Sequence, residues 1–225
     1  MTAFKEFKEK NNKKKVLILG CGPSLLKIKE EHLKEISKEY IIATIKQSYN
    51  HFGDYSDFQF FNCNNVCRYP RKKAKFIVCS PNKKSTPFRS DQEIDMFYHM
   101  SSHPQKICQL DDIEEGFKEE NMGKYWGPGI MLEIVLPFFY NLGVNEIITA
   151  GWDYMSGENL ISHFYPEIIR RSFSNPGNLP YDGENKESIK NSDIINSFLS
   201  SKGVSLKCVE SEDCFLHDSI ERVLL

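Results

Sequence analysis

The chain has 225 residues, and its 29 Lys and Arg against 31 Asp and Glu leave a formal net charge of −2. That balance excludes a protein drawn to nucleic acid or anionic membrane by bulk charge, and the length favours one domain with a full core over two. No apolar run approaches the roughly 18 residues that span a bilayer and no signal-peptide core opens the chain, so we expect a cytoplasmic protein without a transmembrane segment, a membrane-peripheral position being compatible.

In chain order, residues 1–15 read as a Lys-rich, frayed lead-in to a single α/β nucleotide-binding domain over residues 16–225. The domain opens on VLILGCGPSLL (16–26), four strand-forming residues that run into Gly-Cys-Gly-Pro-Ser and then a helical pattern. Short apolar runs at 16–20, 40–44, 58–62, 75–80, 146–151 and 204–209 suit strands buried on both faces. Helical spacing is expected at 25–36, 91–100, 130–142 and 188–201, with a last amphipathic segment at 216–224. Stretches 109–127 and 156–186 lack regular patterning, and 156–187 suits a lid or acceptor loop. Alternating strands and helices imply an α/β fold, a doubly wound, mostly parallel sheet flanked by helices, Rossmann-like.

Ligands of such sheets sit beyond the carboxyl ends of the strands. The first such end carries Gly20, Gly22, Pro23 and Ser24, where free backbone N–H groups at a helix start can meet a phosphate. It is neither the dinucleotide fingerprint, which needs glycine where Leu25 stands, nor a Walker loop, since no GK[ST] follows. Gly127, Pro128 and Gly129 form a second helix entrance of this kind, or else permit tight packing. Pro137 lies within the helix that follows and removes one hydrogen bond, a loss of about 3 kcal/mol if unrelieved. Trp126 and Trp152 offer flat rings for a base or sugar, or serve as core or lid. The basic run RYPRKKAK (68–75) suits an acidic acceptor or a solvated loop.

Seven cysteines, at positions 21, 63, 67, 79, 108, 208 and 214, are an odd number lying partly in apolar runs, which favours reduced thiols. CNNVC (63–67) lacks a second Cys/His pair, and His99 and His103 stand at a helix end, so no metal site is expected.

The VLILGCGPSL opening, together with Gly129, Leu142-Gly143, Glu146-Ile147-Ile148 and Ala150-Gly151-Trp152-Asp153-Tyr154, resembles the bacterial sialyltransferases and the related flagellin-modifying motility accessory factors. In those families a GxGPS opening and a later unit of helix, LG, strand and G-x-D frame the nucleotide of a CMP-activated sugar. Phe60-Phe61-Asn62 is similar to their FYN segment, and Lys190-Asn191-Ser192-Asp193 to their KNTD. The resemblance implies a glycosyltransferase that moves a sugar, sialic-acid-like in type, from a CMP-activated donor to a hydroxyl of a glycan or glycoprotein. It implies no metal, no cofactor beyond the CMP-sugar donor and no nucleic-acid partner, and a homo-oligomer is compatible with it. Gly20, Gly22, Pro23, Ser24 and Asn62 would line the donor nucleotide, with Gly127, Pro128, Gly129 and Trp152 closing over base or ribose.

The chain departs from the pattern at three positions. The bacterial general base, a histidine, falls on Ser188, a tyrosine falls on Met155, and an asparagine after the second strand falls on Lys46. His163, in Ser162-His163-Phe164-Tyr165-Pro166, resembles the HYY-type motif of animal sialyltransferases and would supply the base, since its unperturbed pKa near 6.5 suits proton abstraction from a hydroxyl. Asp153 would orient that imidazole or hold the donor ribose, or else cap the next turn, while Tyr165 or Lys46 would meet the leaving phosphate. Two alternatives stay open: a pterin pyrophosphokinase using magnesium and ATP, and a nucleotide- or glycan-binding domain without catalysis.

Overall fold

The computed structural model describes residues 3–11, 13–62, 69–80, 93–99, 110–124, 130–153, 181–211, 216 and 218–225. Among these, eight strands are seen: β1 (Lys15–Leu19), β2 (Tyr40–Ile45), β3 (Phe58–Asn62), β4 (Lys75–Ser80), β5 (Met96–His99), β6 (Glu146–Ala150), β7 (Ser205–Val209) and β8 (Glu221–Val223). They form one sheet in the order β5-β4-β3-β2-β1-β6-β7-β8, and every pairing is parallel. The helices are α1 (Ala3–Lys10), α2 (Glu30–Ile36), α3 (Ser48–Phe52), α4 (Leu110–Gly116), α5 (Leu136–Leu142) and α6 (Tyr181–Ser201). The expected doubly wound α/β architecture is therefore the observed one.

Successive strand residues point to opposite faces, and both faces are apolar here. Val16 and Ile18 of β1 join one core cluster with Phe58, Phe60, Phe138, Phe139 and Phe198. Leu17 and Leu19 join another, with Leu25 and Leu33. The first cluster is held by edge-to-face rings, Phe58 and Phe60 each contacting Phe138 at centroid separations of 5.2 and 5.3 Å.

Several local expectations are corrected. In the lead-in, residues 3–10 are ordered as α1, which seats Phe4 on Phe138 at 5.0 Å and Phe7 on Phe58 at 4.5 Å, because residues three apart share one helix face. The helical spacing at 91–100 gives way to strand β5, whose Met96 and Phe97 pair with Ile77 and Val78. Within 216–224, Glu221–Val223 extends the sheet beside β7. Segment 25–36 is split into a 3-10 turn, Pro23–Lys27, and α2. The stretch 109–127 contains α4 and a short 3-10 turn, Glu119–Asn121, and α6 starts at Tyr181, inside the expected irregular stretch.

The strand order sets the place of a ligand. Chain progress runs from β1 outward to β5 on one side and from β6 to β8 on the other, so the topological switch point lies between β1 and β6. The site is built there and along the carboxyl ends of β2 and β3.

Candidate functional site

At the switch point two backbones touch. The N–H of Gly20 donates to the Ala150 carbonyl at 2.7 Å, and that of Gly22 donates to the Gly151 carbonyl at 2.8 Å. A Cβ on Gly20 would stand 2.7 Å from the Gly151 carbonyl carbon, and one on Gly22 would stand 2.5 Å from Asp153 Oδ2. Gly151 itself has φ +76, a conformation open to glycine at little steric expense.

Ser24, in the 3-10 turn, locks this contact from one side. Its N–H donates to Asp153 Oδ2 at 2.7 Å and its hydroxyl to Asp153 Oδ1 at 2.7 Å, while the same Oγ accepts from Gly151 N–H at 2.6 Å. Asp153 thus caps the turn that follows β1, across 129 positions of sequence. The reading of the opening loop as an anion cradle needs correction at these amides. The N–H groups of Gly20, Gly22, Ser24 and Leu25 are all spent inside the fold, and the anion they meet at Ser24 is the protein's own carboxylate. Gly20, Gly22, Pro23 and Ser24 are buried, and Cys21 is the loop residue that reaches partway to the surface, its thiol donating to the Ile45 carbonyl at 3.2 Å.

Beside this loop, β2 is followed by Lys46, a non-glycine residue at φ 50. Its left-handed backbone is held by three bonds: its N–H donates to the Phe60 carbonyl at 2.9 Å, and its carbonyl accepts from Gln59 Nε2 at 2.9 Å and from Tyr49 N–H at 3.3 Å. Ser48 ties the same end to β1, its hydroxyl donating to the Leu19 carbonyl at 2.7 Å. Such conformations cost on the order of 1 kcal/mol and cluster where a side chain must be aimed. Lys46 is half-buried and its charge acts on Glu133.

Glu133 is the residue that the sequence reading passed over. It lies in a π turn, Met131–Val135, in which Leu136 N–H reaches back five residues to the Met131 carbonyl. Pro137 explains the turn: it has no N–H for the Glu133 carbonyl, which instead accepts from Gly123 N–H at 3.0 Å. Glu133 is 4% exposed, and its carboxyl group accepts a long hydrogen bond, 3.4 Å, from Asn62 Nδ2 at the end of β3. Burial pushes its pKa up, opposed by the Asn62 hydrogen bond and the Lys46 charge. A lone acid inside IMLEIVLPFF was the signal available in the sequence.

Of the residues expected at the site, the structure brings Gly20, Gly22, Pro23, Ser24 and Asp153 together, with Asn62 at the carboxyl end of β3. Trp152 belongs to the core cluster beneath them. His163, Tyr165, Gly127, Pro128, Gly129, Trp126 and Met155 lie outside the described residues. Ser188 falls within α6. In the basic run, Arg71 and Lys75 pair with Asp95 at 2.7 and 3.3 Å, Lys72 with Asp54 at 2.8 Å and Lys73 with Asp57 at 3.7 Å, so each of its described cations has an acidic partner. Among the described residues no three His, Cys, Asp or Glu side chains group as metal ligands, and no helix is long and apolar enough to cross a membrane.

No family model matches the sequence, and no curated protein matches it. Among solved structures, the chain is similar to the monofunctional alpha-2,3-sialyltransferase Cst-I from Campylobacter jejuni, with a TM-score of 0.50 and 16% sequence identity. The likeness covers 96% of this chain and 84% of that one, and it shows a shared fold.

Proposed function

We propose that this chain is a glycosyltransferase that moves a sugar from a CMP-activated donor to a hydroxyl of a glycan or glycoprotein, without a metal. The observation that carries the reading is the glycine contact at the β1/β6 switch point. It brings the β1 and β6 backbones into direct contact at the place where parallel sheets bind nucleotides, in a fold shared with a sialyltransferase over 96% of the chain.

His163 takes the proton from the acceptor hydroxyl. That oxygen bonds to the anomeric carbon as the bond from carbon to the donor phosphate oxygen breaks, and the electron pair leaves with CMP. With the loop amides committed internally, Lys46 is the cation at the strand ends that meets the phosphate charge, and Tyr165 donates a hydrogen bond to it. Asp153 acts through Ser24 as a positioning residue for the loop. A magnesium-dependent pyrophosphokinase would need Asp153 turned toward a metal, and its two oxygens already accept from Ser24.

A thermal-shift panel of nucleotides tests the donor: CMP and CDP raise the melting temperature, and a shift with another nucleotide but with no cytidine nucleotide rejects the assignment. For the base, His163→Ala lowers CMP-sugar hydrolysis by about 100-fold or more while leaving the CMP shift in place. Unchanged hydrolysis removes His163 from the mechanism, and no hydrolysis by the unaltered chain favours a binding domain.

A further inference from the structure

We infer that Glu133 is the residue that reads the donor nucleoside, its carboxyl group accepting a hydrogen bond from an N–H or O–H of the bound base or ribose. The inference rests on the nucleotide reading above and deepens it.

The carboxyl group of a residue that is only 4% exposed is costly to hold unless donors surround it. The one donor to the Glu133 carboxyl group among the described residues is Asn62 Nδ2, at 3.4 Å, beyond the usual range for an N–H donor to a carboxyl oxygen. Every immediate neighbour of Glu133 in the π turn, Met131, Leu132, Ile134 and Val135, is apolar and buried. A leucine would suit that core, so a carboxyl group with so few partners needs a reason outside the packing.

Its position supplies one. The Asn62 side chain that it touches closes β3 at the carboxyl edge of the sheet, and the Lys46 charge comes from the end of β2. A cation is a poor candidate for the missing partner, because Lys46 already brings positive charge to Glu133. A phosphate is poorer still, since it would face an acid. What remains is a neutral donor, and a nucleotide seated with its phosphate toward Lys46 offers two: the exocyclic amine of cytosine and the ribose 2′-hydroxyl. Acidic side chains accept from both kinds of group.

The test is calorimetric titration of the full chain and of Glu133→Gln and Glu133→Leu with CMP, UMP and 2′-deoxy-CMP. The unaltered chain binds CMP about tenfold or more tightly than the analogue that lacks the donated hydrogen. That analogue is UMP for a base contact and 2′-deoxy-CMP for a ribose contact. Glu133→Leu abolishes the preference. Glu133→Gln keeps the side-chain shape and guards against a folding defect in the leucine variant; for a base contact it shifts the preference toward UMP, because an amide can donate to the uracil carbonyl. Folded variants that keep the CMP preference of the unaltered chain overturn the inference and leave the nucleotide reading standing. Absence of binding by the unaltered chain to all three nucleotides overturns both.

Discussion

Replacing Gly20 by alanine is expected to unfold the protein or to lower its stability by about 4 kcal/mol or more, measured as the shift in urea denaturation. The added methyl would stand 2.7 Å from the Gly151 carbonyl carbon, and neither backbone can withdraw. Gly20 N–H is bonded to Ala150, and β1 and β6 are paired along their length from Lys15↔Glu146 to Leu19↔Ala150. Gly203→Ala is the matching control. Gly203, unlike Gly20, has positive φ, +76, and a Cβ there meets nothing within 4 Å, so its replacement reports conformational strain alone, about 1 kcal/mol. Equal effects at the two glycines would show that close approach of the strands is not what Gly20 provides.

The second large effect is expected at Asp153. Alanine there removes both acceptors of Ser24 and leaves a backbone N–H and a hydroxyl without them in a residue that is 1% exposed. Charge-assisted hydrogen bonds contribute about 1.5–3 kcal/mol each, and orphaned buried donors add their desolvation, so a loss of about 3 kcal/mol is expected. Asp153→Asn keeps one acceptor oxygen and should recover part of it. In a double-mutant cycle with Ser24→Ala the two sites should couple by about 1–2 kcal/mol. Additive effects would mean that the pair does not hold the loop. The same variants should bind nucleotide weakly, since the turn after β1 loses its anchor to the segment after β6.

These two sites also mark how far the sequence could be read. Buried parallel strands announce themselves as apolar runs, so β1, β2, β3, β4, β6 and β7 were legible, and with them the switch-point loops. Strand β5 was not, because Ile94, Phe97 and Tyr98 have helical spacing and the strand is only four residues long. Strand β8 spans three residues and carries no pattern of its own. The pairing of Ser24 with Asp153 joins positions 129 apart, and no local periodicity encodes it. A glycine-rich turn after a strand reads as a phosphate cradle until the fold shows its amides already bonded. For Glu133 the oddity was visible, an acid in an apolar helix. Its partners were not, since Asn62 and Lys46 reach it only when β2 and β3 lie side by side.

The proposed site for a cytidine nucleotide lies at the carboxyl ends of β1, β2, β3 and β6. It is tested most directly by following backbone amide resonances of the isotopically labelled chain during titration with CMP. Saturable shifts are expected at Cys21, Lys46, Asn62, Glu133 and Trp152, with the amino ends of the same strands unmoved. CMP binding that shifts amides elsewhere and leaves these five in place would contradict it.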